Sequence, residues 1–206
     1  MYHFIINPNA GSGRGWKVWR AIAGYMDRHN IEYEAVLTNG TGEAREASRE
    51  LTKEAGKPCF LIVVGGDGTM NEVLDGAFFH GPLNLGYIPA GTGNDLWRSL
   101  HMPVNPVRCL KKQLYPRHFS VIDYGVLSYG KGEPFHRRFL VSAGIGFDAA
   151  VCQAARDSRL RSRLGHMGFR RLSYLLLGIS QFFKCRSSRG YIVLDGVKRV
   201  EFNNIL

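Results

Sequence analysis

Two periodicities take turns along the first half of the chain. Tyr2 to Asn7 is a short β-prone run that ends in Pro, Gly and Ser, after which Trp16, Trp19, Ile22, Ala23 and Met26 recur at helical spacing. This segment predicts strand, glycine-rich loop, helix. Ile31 to Leu37 alternates apolar and polar residues as a strand does, and the Ala-, Glu- and Arg-rich stretch Gly42 to Ala55 predicts a second helix. Phe60 to Val64 is uninterruptedly apolar, the pattern of a central parallel strand buried on both faces. GGDGT and a third helix follow it. Leu83 to Ile88 predicts a fourth strand, followed by PAGTGND and a short helix from about Leu96. The order βαβαβαβα implies an α/β fold, doubly wound around a mostly parallel sheet with helices on both faces.

Near Phe119 the rhythm changes to longer β-prone runs, with SYGKGEP around Tyr129 as a hairpin turn between two of them. The domain boundary is therefore expected at residues 115 to 125, giving an α/β domain over 1–120 and the beginning of a β-rich domain over 121–206. Within the latter, Ile145 to Asp157 and Gly168 to Lys184 predict helices, and Tyr191 to Leu206 a hairpin turning at Asp195-Gly196. No internal repeat or low-complexity segment interrupts the chain.

Composition narrows the class. With 206 residues, 45% of them hydrophobic, the chain can bury one good core and a smaller appendage. Cys59, Cys109, Cys152 and Cys185 form no CxxC pair and have no histidine at zinc-ligand spacing, so packed, reduced thiols in a cytoplasmic protein are expected. None of the seven histidines shows metal-ligand spacing. The N-terminus lacks the pattern of a secretory signal, and the longest strongly apolar run, Tyr174 to Ile179, is too short to cross a bilayer. Charge is unevenly spread: residues 1 to 95 carry 8 Lys or Arg against 11 Asp or Glu, whereas residues 96 to 206 carry 19 against 6.

The chemistry sits in three loops at the C-terminal ends of predicted parallel strands, where open α/β sheets place ligands. They are Asn7-Pro-Asn-Ala-Gly-Ser-Gly13, Gly65-Gly-Asp-Gly-Thr69 and Pro89-Ala-Gly-Thr-Gly-Asn-Asp95. Glycines let backbone approach an anion and each loop leads into a helix N-terminus, so together they make a cradle for a polyphosphate. None contains the GKS or GKT of a Walker A loop, and the first is not the GxGxxG dinucleotide fingerprint. The competing reading is ordinary tight turns, with Thr69 and Glu72 as a T-x-x-E capping box. Asp67 and Asp95 favour the cradle: carboxylates beside phosphate repel it unless a divalent cation, here magnesium, stands between them.

NPxxGxG near the N-terminus, GGDGTxNEV over Gly65 to Val73 and PAGTGNDLWRSL over Pro89 to Leu100 resemble the catalytic family of diacylglycerol kinases, including the bacterial soluble lipid kinases. GGDGT alone is shared with NAD kinases and, more loosely, phosphofructokinases; GTGND separates them. The resemblance continues through Val121 to Gly125, Ser142 to Asp148 and the Tyr174-Leu-Leu-Leu segment. It implies an ATP-dependent lipid kinase with a largely β second domain, and diacylglycerol as the leading acceptor. By the same resemblance Asn7, Pro8, Asn9, Ala10, Gly11, Thr38, Gly65, Gly66, Asp67, Gly68, Thr69, Met70, Asn71, Glu72, Thr92, Gly93 and Asn94 line the ATP site. Asp67, Asp95 and Asp123 match family aspartates that reach Mg2+ through water.

The family's general base lies in a segment beyond Leu206, so the resemblance implies a truncated chain with little or no lipid turnover of its own and an open sheet edge that favours self-association as a homodimer. From Arg156 to Arg189 nine Arg or Lys stand against one acid, among Leu, Phe and Tyr. Such a stretch suits peripheral binding to an anionic membrane surface, or a solvated helix face packed on its own domain. Nucleic acid is the rival partner for a chain of pI about 9.7, but no binding motif for it is present. A non-catalytic nucleotide sensor and an NAD kinase-like enzyme are the remaining alternatives. Trp97 and Arg98 fit contact with the adenine or ribose, or core packing for Trp97.

Overall fold

The computed structural model describes residues 1–54, 59–130, 133–144, 146–157, 178–184 and 188–205. The strands β1 (Tyr2–Ile6), β2 (Tyr33–Leu37), β3 (Cys59–Gly65) and β4 (Leu83–Pro89) form a parallel sheet in the order β2-β1-β3-β4. Between and after them come α1 (Ala10–Arg28), α2 (Glu43–Leu51), α3 (Asp67–Gly76), α4 (Asp95–Ser99) and α5 (Pro106–Leu114). This is the α/β sheet that the alternation of periods implies.

Successive residues of a strand point to opposite faces, so a strand covered on both sides must be apolar throughout. Phe4, Ile6, Ile62, Val64 and Ile88 point to one face and pack with Val18, Trp19, Ile22 and Met26 of α1 and with Cys109, Leu110 and Leu114 of α5. Ile5, Leu61, Val63 and Tyr87 point to the other, against Ala44 of α2, Met70 and Val73 of α3 and Leu96 of α4. Each fully buried aliphatic side chain here contributes about 1.5–3 kcal/mol by leaving water. Trp16, although in helical register with Trp19, is 45% exposed and lies outside both clusters. Burial pushes the Cys109 thiol up to about 11, so it packs as a neutral small hydrophobe. Cys152, expected to be packed, is exposed.

No hydrophobic period in the sequence marks α5, although its start is written locally. The Asn105 side chain accepts from the Arg108 amide at 3.0 Å, and Pro106 occupies the first turn, where its missing N–H costs nothing. Cys109, Leu110 and Leu114 then face the sheet.

The expected hairpin is present as β5 (Gly125–Tyr129) and β6 (Phe135–Phe139), antiparallel with Val126 opposite Arg138. The chain divides into compact units at Ser142 and Ala143, so this hairpin lies with the four-stranded sheet and the change of rhythm near Phe119 marks the end of the βα repeat. In the unit 143–206, α6 (Phe147–Asp157), a helical stretch at 178–184 and the antiparallel pair β7 (Ser188–Leu194) and β8 (Lys198–Ile205) are seen. Asp195 and Gly196 both take positive φ, and with Val197, whose amide donates to the Leu194 carbonyl at 3.0 Å, they make the three-residue turn that lets Leu194 pair with Lys198. Residues 168–177 of the second expected helix, and most of the basic stretch, lie outside the described residues.

Inside the first unit β6 is fastened to the end of α3. The Asp75 carboxylate accepts from the Arg138 amide at 3.0 Å and from the Arg137 guanidinium at 2.6 Å, and Arg45 of α2 stands 3.7 Å away. The Arg138 guanidinium donates to the carbonyls of Leu74 and Ala77, satisfying the C-terminal end of α3. Burial works to raise the Asp75 pKa, but the Arg138 amide, the Arg137 hydrogen bond and the charges of Arg137 and Arg45 outweigh it and hold the carboxyl below its ordinary 3.8. A depressed folded-state pKa adds stability that is fully present above the ordinary value and is lost as pH falls through the lowered one. Asp75→Asn is therefore expected to cost about 1–3 kcal/mol at pH 7 and much less at pH 2, read by urea unfolding at the two values. An equal cost at both would show that the charge is not what holds the hairpin.

Candidate functional site

The chain leaving β1 enters α1 on one face of the sheet, and the chain leaving β3 enters α3 on the other. Adjacent strands whose connections diverge in this way open a crevice at their carboxyl ends, the usual ligand position of such sheets. Both glycine loops border that point, and hydrogen bonds join them. The Asn7 amide donates to the Val64 carbonyl at 2.9 Å, while the Asn7 carboxamide nitrogen donates to Thr69 Oγ1 at 3.2 Å and its oxygen accepts from the Asn9 amide at 3.1 Å. Thr38, at the end of β2, gives both its amide and its hydroxyl to the Ile6 carbonyl, at 2.8 and 3.2 Å.

The third loop lies against the other two by backbone alone. The amides of Ala90 and Gly91 both donate to the Gly65 carbonyl, at 2.7 and 3.1 Å. A β-carbon on Gly91 would stand 2.6 Å from the Gly66 α-carbon, and one on Gly11 would stand 2.2 Å from the Ala90 carbonyl oxygen. Gly11, Ser12 and Gly13 are successively left-handed, so the regular part of α1 begins only after them. The three loops are thus one closely spaced backbone surface, with Asn9, Gly68, Thr92 and Gly93 exposed on it.

Carboxylates sit at its edge. Asp67 accepts from the amides of Asp95 and Leu96 at 3.0 and 3.3 Å, and so caps α4 from the neighbouring loop. Asp95 in turn pairs with Arg98 at 2.9 Å. A β-carbon on Gly93 would lie 3.3 Å from Asp67 and 3.8 Å from Asp95, so the two acids flank one exposed glycine. Among the described residues no group of three or more His, Cys, Asp or Glu could chelate a metal directly, and Asp123 is exposed ahead of β5. Two hard oxygen ligands beside an exposed glycine loop fit a magnesium ion held partly through its own water.

Of the other residues expected at the site, Ala10 and Met70 are buried in the two cores, and Thr38 and Thr69 are buried with their hydroxyls bonded to Ile6 and Asn7. The capping-box reading is corrected: Thr69 lies within α3, whose N-cap is Gly66, and Glu72 reaches the Gly42 amide at 3.0 Å instead. Trp97 packs on the second core cluster and donates to the Pro103 carbonyl at 3.3 Å. Arg98 is engaged by Asp95.

Tyr87 is the residue that sequence reasoning misses. It is 3% exposed, and its hydroxyl donates to Asn94 Oδ1 at 3.2 Å, while the Asn94 nitrogen donates to the Gly91 carbonyl at 2.9 Å. Asn94 has φ 55°, so this pair of bonds holds a left-handed residue at the point where the third loop becomes α4. Burial, and then the charges of Asp67 and Asp95, push the Tyr87 phenol up and keep it a donor. Position 87 reads in sequence as one more apolar strand residue, and only its hydroxyl distinguishes it.

Two substitutions test this construction. Tyr87→Phe strands the Asn94 oxygen and is expected to cost about 1 kcal/mol in thermal unfolding while speeding hydrogen exchange at the Asp95 and Leu96 amides. Gly11→Ala adds a left-handed alanine and a collision with Ala90, for about 1–3 kcal/mol or more in urea; a variant as stable as the parent would contradict the close approach of these loops.

Residues 1–127 match the diacylglycerol kinase catalytic domain. YtlR of Bacillus subtilis (strain 168), whose name marks it as a candidate lipid kinase, is 33% identical over 179 residues, 85% of this chain and 57% of that protein. The diacylglycerol kinase of Staphylococcus carnosus (strain TM300) is 26% identical over 80% of this chain and 51% of its own length. The crystal structure of a diacylglycerol kinase from Bacillus anthracis str. Sterne superposes with a TM-score of 0.53 and 27% identity, over 68% of this chain and 47% of that one. The chain spans about half the length of the curated relatives it matches. With that domain match extending over all three loops and the sheet that carries them, the chain belongs to the diacylglycerol kinase catalytic family.

Proposed function

We propose that the crevice between β1 and β3 binds the polyphosphate of ATP, and that the protein is a lipid kinase that transfers the terminal phosphate to a lipid hydroxyl, with diacylglycerol as the leading acceptor. The observation that carries this reading is the convergence of three glycine loops at one sheet edge, with Gly66 against Gly91 and Gly11 against Ala90, in a chain of this family. Backbone so placed offers amides to an anion and leaves room for it.

In this reading the exposed backbone of Gly68, Thr92 and Gly93 meets the phosphates, and Asn7 and Thr69 keep the first two loops in register. Asp67, Asp95 and Asp123 hold magnesium through water, and magnesium, when bound, neutralises charge on the phosphates. Positioning and electrostatics supply most of the rate in phosphoryl transfer, so the chain's contribution is to orient the donor. The proton acceptor for the lipid hydroxyl is not assigned to any residue of this chain.

The acceptor lies in a membrane, and the strong cationic excess of residues 96 to 206 suits an anionic lipid surface. No helix among the described residues is long and apolar enough to cross a membrane, so peripheral contact is the proposed mode.

Titration calorimetry with ATP and magnesium gives the first test. The parent chain is expected to bind, and Asp67→Ala, which removes a carboxylate and the α4 cap together, to weaken binding about tenfold or more. A second test is lipid phosphorylation from radiolabelled ATP in mixed vesicles, with this chain and with a form spanning the relatives' length. Phosphorylated lipid supports the kinase reading, while nucleotide binding without lipid product from the longer form would favour a sensor.

A further inference from the structure

Helix α3 presents Asn71 and Asp75 four residues apart, on one face and about 6 Å apart along the axis. The outer edge of β6 and its continuation presents the amides of Arg138 and Leu140 two residues apart, about 6.8 Å along a strand. The two spacings nearly match. Asn71 Oδ1 accepts from the Leu140 amide at 3.1 Å and Asp75 accepts from the Arg138 amide at 3.0 Å, so two helix side chains occupy the places that carbonyls of a further strand would fill. β5 pairs along the opposite edge, with Val126 across from Arg138. The contact is also a packing contact, because the Leu140 side chain lies against the core cluster that includes Met70 and Val73.

We propose that Asn71 is a positioning residue: its side-chain oxygen seats the β5–β6 hairpin on α3 and so steadies the helix that opens at the phosphate loop. The residue belongs by resemblance to the stretch expected to line the ATP site, and its side-chain oxygen accepts from the Leu140 amide. Asp75, one turn further, makes the same kind of bond and extends the seat. The helix that begins at the phosphate loop is thereby fixed along one flank by the hairpin. The second half of this proposal rests on the nucleotide reading above; the first half does not.

Hydrogen exchange at the Leu140 and Arg138 amides, measured by NMR on the 206-residue chain, reads the seat directly. Asn71→Ala is expected to speed exchange at Leu140 about tenfold or more, whereas Asn71→Asp, which keeps an acceptor oxygen in place, restores most of the protection near neutral pH. A residue that merely fills space would not distinguish the two. Asn71→Ala is also expected to speed exchange at the Met70 amide, whose bond to the Gly66 carbonyl opens α3 behind the loop. Unchanged exchange at Leu140 in Asn71→Ala overturns the seat, and unchanged exchange at Met70 overturns its hold on the start of α3. Should the parent chain fail to bind ATP at all, the nucleotide reading falls, and the exchange comparison still decides whether Asn71 holds the hairpin.

Discussion

Two neighbouring parallel strands send their chains to opposite faces of the sheet, and the gap this leaves between β1 and β3 has to be bordered by something that does not fill it. Side chains would fill it. The molecule uses bare backbone, bringing Gly66 against Gly91 and Gly11 against Ala90, and the site depends on the absence of β-carbons at those points. The supporting bonds then follow in order: Asn7 to Thr69 across the gap, Thr38 onto Ile6 at one side, and Asp67 onto the amides of α4 at the other. Buried polar groups in this region have partners because the loops have little apolar surface with which to hold themselves.

Most of this layout can be read from the residues before any coordinates. A doubly covered strand has no polar side to display, so Phe60 to Val64 announces its position in the middle of the sheet, and Asp195-Gly196 announces a hairpin turn because few residues accept successive positive φ. What could not be read depends on contacts distant in sequence. Thr69 and Glu72 have the spacing of a helix cap, but Asn7, after β1, and Gly42, at the start of α2, claim their side chains. Trp16 shares the helical period of Trp19, yet the chain spends the positions just before it on a left-handed loop. Tyr87 looks like a core residue and is one, except for a hydroxyl whose partner is seven residues away across a turn. Helix α5 was legible in its Asn105-Pro106 start, but its nine residues are too few for a period to stand out.

The uneven charge along the sequence acquires a local meaning in the same way. The acidic first part and the basic remainder meet inside one compact unit, where Asp75 of α3 receives Arg137 and Arg138 of β6. Part of the cationic excess is therefore spent on holding the molecule together. Only the charge beyond that junction is left for a surface such as a membrane. A total charge or an isoelectric point cannot separate these uses, because both add the same positive sign.

The seating of β6 by Asn71 and Asp75 also bears on how this hairpin behaves among other chains. A strand edge with unpaired amides invites another strand to pair with it, and small hairpins are especially exposed to that hazard. Here the outward amides of Arg138 and Leu140 are already occupied by side-chain oxygens from a helix, which has no free edge of its own to offer. An intruding strand would have to displace a carboxylate and a carboxamide before gaining its first hydrogen bond, so α3 ends the ladder on that side much as a cap ends a helix.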